Sequence, residues 1–293
     1  MKRIKILLIV FIVGIYACRP KPLEIDIQAA PPKLVVASQI VPETVLGVIV
    51  TRSFTALQHE IYNEGSKSVS QEFTNNIIVQ NAFVTVKYAG ITDTLFAVDT
   101  IPGLYVSAKT LQIPYQEYEL NVYDPVLNES VSAKSSMLPA VKFDTVYPIV
   151  KGAKEINLKF SFKDFEGQNW YLLNVYKANN NSNIANLDVN SIPFSTGKNQ
   201  LIQTQLINDV VYNTKNIDIE LQLKDVTSAD TIGVTIANIS EGYYTFLQAQ
   251  SKIDGIISQF FREPVNTPTN VQNGYGYFSA YDPDVKIIDI GKY

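Results

Sequence analysis

The chain has 293 residues, of which 46% are hydrophobic and 18% charged, with 24 Lys plus Arg against 28 Asp plus Glu. That length is enough for two domains that each bury a core of their own. One His and one Cys exclude an intramolecular disulfide and a structural zinc site, and any Ser-His-Asp or Cys-His site would depend on His59.

The first 17 residues have the features of a signal peptide. Lys2, Arg3 and Lys5 form a positive segment, and an unbroken apolar run follows from residue 6 to residue 13. This run is too short to span a bilayer core of about 30 Å, which requires about 20 apolar residues. We expect residues 1–17 to be removed, leaving 21 basic against 28 acidic residues. A net charge near −7 and scattered Lys and Arg argue against nucleic acid as a partner.

Residues 15–18, Ile-Tyr-Ala-Cys, resemble the lipobox of bacterial lipoproteins, in which an aliphatic, a variable and a small residue precede an acylated cysteine. Cys18 is the only cysteine, and it falls where a lipobox requires it. Each buried acyl CH₂ contributes about 0.8 kcal/mol to the free energy of membrane binding. Two or more acyl chains on the cysteine, such as palmitoyl chains, therefore give lasting membrane attachment. The alternative is an ordinary secretory signal followed by an incidental Cys. Residues 18–32 are rich in proline and are predicted to be a semi-rigid tether.

From residue 33 the pattern changes to short apolar alternations separated by turns. These runs lie at 34–40, 46–51, 82–88, 93–97, 103–107 and 117–123. Strands at this spacing indicate an antiparallel sandwich or barrel. Their order resembles the prealbumin-type sandwich of carboxypeptidase regulatory-like modules, so we predict an N-terminal β-sandwich over residues 33–138.

The stretch 55–79 lacks a clean period and contains His59, Glu60, Glu64 and Glu72. Adjacent residues such as His59 and Glu60 point apart on a helix or strand, so they make a poor chelating pair. We predict a solvated loop here, with a short helical excursion as the alternative. Neither a metal site nor a cofactor is expected.

Residues 139–293 are predicted to form a second, mainly β domain. Apolar and polar residues alternate strictly over 155–163, which is typical of an antiparallel strand with one face in water. Similar runs occur at 169–176, 217–223 and 231–237, and an Asn-rich polar loop spans 178–190. One helix is predicted near 240–261, with Ser240 as its N-cap and its apolar stripe packed on a sheet. The fold class is therefore mainly β, with two antiparallel sandwich-like domains.

The most specific resemblance lies in the C-terminal block 264–278. Pro264-Val-Asn-Thr-Pro-Thr-Asn270 followed by Asn273-Gly-Tyr-Gly-Tyr-Phe278 is similar to the signature of a Bacteroidota family of outer-membrane lipoproteins that carries a domain-of-unknown-function label. The two glycines do not make a phosphate loop, since the third glycine and the flanking strand and helix of that motif are missing.

Members of that family are typically encoded beside TonB-dependent receptors. The resemblance implies a non-catalytic lipoprotein that assists such a receptor in nutrient capture or uptake, with no catalytic residue carried over. Exported lipoproteins of the phylum often have acidic residues after the lipidated Cys, whereas residues 19–22 are Arg-Pro-Lys-Pro, so the sequence leaves open which side of the outer membrane the protein faces.

The alternative function is a glycan-binding or glycan-cleaving surface module. The chain has 17 Tyr, 14 Phe and Trp170, whose rings can stack on sugars. A carboxylate pair about 5–9 Å apart could act as acid and base, but no sequence spacing identifies one.

Four Asp-Thr-aliphatic triplets resemble the O-glycosylation site of these bacteria. Their candidate acceptors are Thr94, Thr100, Thr145 and Thr231. The alternative reading is a turn-to-strand transition, where Asp and Thr are common.

Overall fold

The computed structural model describes residues 31–42, 44–54, 71–110, 116–178, 199–212, 215–250 and 267–293. In these ranges the chain is mainly β, with antiparallel sheets arranged as sandwiches and two α-helices, which confirms the predicted fold class. The signal peptide, Cys18, His59 and most of the Asn-rich loop lie outside the described residues. Within the described part, no helix has the length and apolarity of a membrane span.

The strands follow one another along almost the whole described chain. They are β1 Leu34–Ile40, β2 Val45–Arg52, β3 Phe83–Tyr88, β4 Ile91–Ala97, β5 Leu104–Thr110, β6 Glu117–Asp124, β7 Glu129–Ser136, β8 Phe143–Gly152, β9 Glu155–Lys163, β10 Trp170–Ala178, β11 Asn199–Asn208, β12 Asn216–Gln222, β13 Thr231–Ile239, β14 Val271–Gln272, β15 Tyr275–Ala280 and β16 Asp284–Asp289. Helix α1 is Gln71–Ile77 and helix α2 is Glu241–Gln250.

The first sheet has nine strands in the order β14-β7-β6-β3-β4-β5-β2-β1-β15. Successive side chains along its strands point to opposite faces of the sheet, so that one face is buried and the other faces solvent. Val84 and Val86 of β3 and Leu120 and Val122 of β6 point into a continuous apolar core, where they are fully buried. Apolar burial of this kind stabilises the folded chain by about 25 cal/mol per Å² removed from water.

Two smaller sheets enclose the second core. Their orders are β11-β10-β13-β16 and β12-β9-β8. The strict alternation at 155–163 behaves as predicted, since Ile156, Leu158, Phe160 and Phe162 of β9 are all fully buried. They pack against residues of the four-stranded sheet such as Leu173.

One segment near the C-terminus joins the two ends of the nine-stranded sheet. β14 pairs with β7 antiparallel, and β15 then pairs with β1 parallel, with Val35 opposite Tyr275. The chain changes partner at Gly274, where a Cβ atom would lie 2.7 Å from the Leu34 carbonyl oxygen. The backbones of β15 and β1 come closer still at Gly276, where φ is +91° and a Cβ atom would lie 1.9 Å from the carbonyl oxygen of Val36.

Two further residues of the C-terminal block hold this closure in place. The Asn270 side chain donates to the carbonyls of Phe278 at 2.7 Å and Lys134 at 2.9 Å, and it accepts from the Phe278 amide at 2.9 Å. The Thr269 hydroxyl donates to the Gly276 carbonyl at 2.7 Å. The block that gives the sequence its family resemblance therefore has a structural role. It also places residues 271–280 in the first sheet, although the predicted boundaries assign them to the C-terminal domain.

Helix α2 covers the place where the returning strand meets the second set of sheets. The Ser240 hydroxyl accepts from the Tyr243 amide at 3.3 Å, so the predicted N-cap is observed. The buried ring of Tyr243 packs on Tyr277 and Tyr281, with centroids 5.2 and 6.1 Å apart, and Leu172 of β10 joins the same cluster. The helix is observed over Glu241–Gln250, and residues 251–266 lie outside the described chain. Pro32–Tyr293 forms one compact unit.

Candidate functional site

The outward face of β3 and β6 carries two exposed aromatic rings. Phe83 and Tyr123 lie directly opposite each other on the paired strands. Their centroids are 6.1 Å apart, their planes differ by 22°, and they are 65% and 37% exposed. Inward neighbours such as Val84 fill the core, so the alternation of the strand itself turns these rings toward solvent. We call Phe83 and Tyr123 the aromatic pair.

A row of neutral polar side chains runs beside the aromatic pair. Thr85 lies opposite Asn121, Asn121 opposite Ser132, and Ser132 opposite Gln272. The Ser132 hydroxyl is 3.3 Å from Gln272 Oε1, and Asn273, with φ of +63°, completes this edge. The aromatic pair lines a groove of about 340 Å³ together with Thr85, Asn121, Ser132 and Asn273. We call it the sheet groove.

Charges at one border of the sheet groove compensate one another. The next row across the sheet contains Lys87, Glu119 and Lys134 in register. The Lys134 ammonium is 3.1 Å from Glu117 and 3.8 Å from Glu119. The hydrogen bond from Lys134 to Glu117 raises the pKa of this lysine, so the ammonium stays charged and keeps its partners.

A buried ion pair lies at the opposite border. Arg52 Nε and Nη2 both donate to Asp124 Oδ2, at 3.0 and 2.7 Å, and the Val126 amide donates to Oδ1 at 2.9 Å. The Asp124 side chain is 1% exposed, so these donors replace the water it has lost. A second pocket of about 300 Å³ lies above this ion pair and is also lined by Asn75 and Gln80. Because Asp124 directly follows Tyr123, the ion pair fixes the end of β6 beneath the aromatic pair.

The segment that leads into Phe83 is held by a buried tyrosine. The Tyr105 hydroxyl accepts from the Ala82 amide at 2.8 Å and donates to the Val79 carbonyl at 2.9 Å. Burial raises the pKa of Tyr105, which keeps the phenol protonated and able to donate. The aromatic pair is therefore mounted on backbone that is restrained at both of its strands.

The four candidate glycosylation residues lie apart on the surface. Thr94 is exposed on β4, opposite Thr85; the side chain of Thr100 is exposed on the turn that follows. Thr145 is exposed on β8 with its hydroxyl 2.7 Å from that of Ser161, and Thr231 is only half exposed at the start of β13.

The aspartates that precede two of these threonines are held by hydrogen bonds within the fold. Asp93, before Thr94, is buried and accepts a hydrogen bond from Ser107. Asp230, before Thr231, is 2.8 Å from the Lys177 ammonium and accepts from the Thr227 amide at 2.7 Å. In these two triplets the aspartate is a structural residue.

The environment of Asp230 predicts a pH-dependent contribution to stability. Burial alone would raise the pKa of this carboxyl, but hydrogen bonds from Lys177 and Thr227 outweigh burial and lower the pKa below its usual 3.8. The stabilisation is therefore complete above pH 3.8 and is lost as pH falls through the lowered pKa. We expect Lys177→Met to lower the free energy of unfolding by about 1 kcal/mol at pH 7, since solvent partly screens the ion pair. Urea denaturation at pH 7 and pH 3 should show the difference from wild type shrinking at the lower pH; a difference independent of pH would contradict this account.

Trp170 does not contribute to the sheet groove. It packs in the cluster around Tyr243, beneath helix α2. Trp170 stands out in the sequence as the single tryptophan, whereas Phe83 and Tyr123 do not stand out among the many Phe and Tyr residues. The signal that could have found them is an aromatic residue at the outward position of an alternating strand, where a polar residue is usual. Among the described residues, no group of three or more His, Cys, Asp or Glu side chains is placed to hold a metal ion.

A family model described as a domain of unknown function (DUF4249) matches residues 20–287. No curated protein matches the chain. Similar solved structures include a cytokine receptor complex, at 8% identity over 87% of this chain and 96% of that chain, with a TM-score of 0.23. The FN1-FN3 domains of chicken CNTN1 are 11% identical over 72% of this chain and 63% of that chain, with a TM-score of 0.24. Trypsin-activated alpha-2-macroglobulin from Escherichia coli is 11% identical over 76% of this chain and 16% of that chain, with a TM-score of 0.22.

Proposed function

Because the chain belongs to the DUF4249 family, we propose that it is a non-catalytic lipoprotein of the Bacteroidota outer membrane that assists a TonB-dependent receptor in nutrient capture or uptake. The observation that carries this proposal is the exposed aromatic pair. Large exposed apolar side chains that lie together mark contact surfaces on folded proteins. Phe83 and Tyr123 meet that description, and Phe96 on the neighbouring strand β4 is also 62% exposed.

The anchor and the tether support the same function. Acyl chains on Cys18 would keep the folded unit close to one membrane. The proline-rich residues 18–32 would act as a spacer between the folded unit and that membrane. A tethered protein meets a membrane-embedded receptor at a high effective concentration, so a contact surface of modest affinity is enough.

The receptor association can be tested with the anchored protein. We expect the tagged, full-length chain purified from detergent-solubilised outer membranes to carry a TonB-dependent receptor at near-stoichiometric amount. The Cys18→Ser variant should leave the membrane fraction, because it loses every acyl chain, and should carry far less receptor. Purified wild-type protein without any receptor would count against the proposal, and membrane retention of Cys18→Ser would overturn the lipid anchor.

Glycosylation of the Asp-Thr-aliphatic triplets remains a prediction. We expect Thr100 to be the preferred acceptor, because its side chain is exposed on a turn and the preceding Asp99 is exposed too. Thr231 should remain unmodified, since Asp230 is held by Lys177. Peptide mass spectrometry of the mature protein would show a glycan mass on the peptide that contains Thr100, and Thr100→Ala should remove it. A glycan on Thr231 instead would contradict the accessibility argument.

A further inference from the structure

We infer that the sheet groove binds a neutral carbohydrate. This inference rests on the proposed function, because it names the class of nutrient that the lipoprotein would capture. Its basis is the combination of two exposed rings with side chains that carry hydroxyl and amide groups, all on one face of a rigid sheet.

The aromatic pair matches the apolar part of a sugar. A pyranose ring presents a face of C–H groups, which packs against the electron-rich face of an aromatic ring. The rings of Phe83 and Tyr123 are stacked on neighbouring strands with their planes 22° apart, and both are exposed, so they form one apolar patch rather than two separate ones. Tyr123 is further restrained by a 3.1 Å hydrogen bond from its hydroxyl to Asn128 Oδ1. The surface therefore exists before a ligand arrives, which limits the entropy lost on binding.

The polar row matches the rim of the same sugar. Sugar hydroxyls both donate and accept hydrogen bonds, and so do the hydroxyls of Thr85 and Ser132 and the amides of Asn121 and Asn273. The hydrogen bonds that the row makes within the protein are long: 3.3 Å for Ser132 to Gln272 and 3.5 Å for Asn121 to Glu119. Hydrogen bonds of this length are weak, so ligand hydroxyls can replace them at little cost.

The charges around the sheet groove favour an uncharged ligand. Its lining consists of aromatic, aliphatic, hydroxyl and amide side chains. Lys134 at one border is held by Glu117 and Glu119, and Arg52 at the other is held by Asp124. No charged side chain lines the sheet groove itself, so an anionic or cationic ligand would find no countercharge within it. The groove volume of about 340 Å³ falls at the small end of ligand sites, which suits one or two sugar residues of a longer chain.

The test is affinity electrophoresis of the detergent-solubilised mature protein in native gels that contain a polysaccharide. The neutral probes are a β-glucan, a galactomannan and a xylan, and polygalacturonate is the anionic probe. We expect at least one neutral polysaccharide to retard the protein and polygalacturonate to have no effect. Phe83→Ala and Tyr123→Ala should each weaken binding at least tenfold, whereas Phe83→Tyr, which keeps a ring, should retain most of it.

Tyr147→Ala is the matched control. Tyr147 on β8 is 37% exposed, the same as Tyr123, but it lies on another sheet. Its loss should leave retardation unchanged, and unchanged thermal unfolding of all four variants would show that they are folded. The inference is overturned by three results: no retardation in any neutral gel, retardation that survives both alanine variants, or retardation by polygalacturonate alone.

Receptor copurification separates this inference from the proposed function. Copurification without carbohydrate binding leaves the accessory role standing and removes the ligand class. If the two alanine variants abolish copurification while no polysaccharide binds, the aromatic pair is a receptor contact and the inference is wrong. Carbohydrate binding without a receptor retains the sheet groove as a sugar site and removes the accessory role.

Discussion

Replacement of Gly276 by alanine should lower the free energy of unfolding by about 4 kcal/mol or more, enough to leave little folded protein. Two independent costs add at this position. The backbone has φ of +91°, which a residue with a Cβ atom adopts only with strain. The new Cβ atom would also lie 1.9 Å from the carbonyl oxygen of Val36, so β15 would have to move away from β1. Urea denaturation followed by circular dichroism would measure the change.

Gly167→Ala is the control for backbone strain alone. Gly167 has φ of +92°, but a Cβ atom there would meet no heavy atom within 4 Å. We expect a loss of about 1 kcal/mol for this variant. Equal losses at Gly167 and Gly276 would mean that the close approach of β1 and β15 does not hold in solution.

The second large effect should follow from removing the cation of the buried ion pair. The Asp124 side chain is 1% exposed in the wild type, and Arg52→Met leaves its carboxylate with the Val126 amide as its one donor among the described residues. Breaking a buried pair by removing one partner costs about 3–5 kcal/mol, because the remaining charge is left without compensation. The measurement is again urea denaturation, at neutral pH. Arg52→Met combined with Asp124→Leu should recover part of the loss, since the uncompensated charge is then gone.

Lys134→Met provides the matched control on the same sheet. The Lys134 and Glu117 side chains are 58% and 60% exposed, so this ion pair is screened by solvent. Pairs of this kind contribute little to stability, so we expect a much smaller loss here than at Arg52. A loss at Arg52 no larger than that at Lys134 would show that Asp124 is not desolvated.

The sequence predicts those parts of the fold that depend on local patterns. Strand β9 can be predicted because its apolar residues recur at every second position. The start of helix α2 can be predicted because a single hydroxyl group, that of Ser240, caps it. The pairing of β1 with β15 is not readable, because it joins residues separated by more than two hundred positions. For the same reason the two glycines of the C-terminal block could be recognised as a family feature but not as the closure of a sheet.

The candidate site was beyond sequence analysis for a related reason. Phe83 and Tyr123 are forty positions apart in the sequence and become neighbours only through the register of β3 and β6. Total aromatic content suggested sugar stacking, yet most rings in the described part of the chain, such as those of Tyr243 and Trp170, pack into cores. Only the register of the strands brings these two exposed rings together.

Closure of the first sheet by the segment 271–280 has a consequence for biogenesis. During synthesis, β1 and β7 emerge long before β14 and β15, and until then each is an open edge with unpaired backbone groups. Open edges of this kind recruit other strands and promote aggregation. Nascent chains should therefore need protection from aggregation until the last strands arrive, and translation that stops before residue 271 should yield insoluble rather than partly folded product.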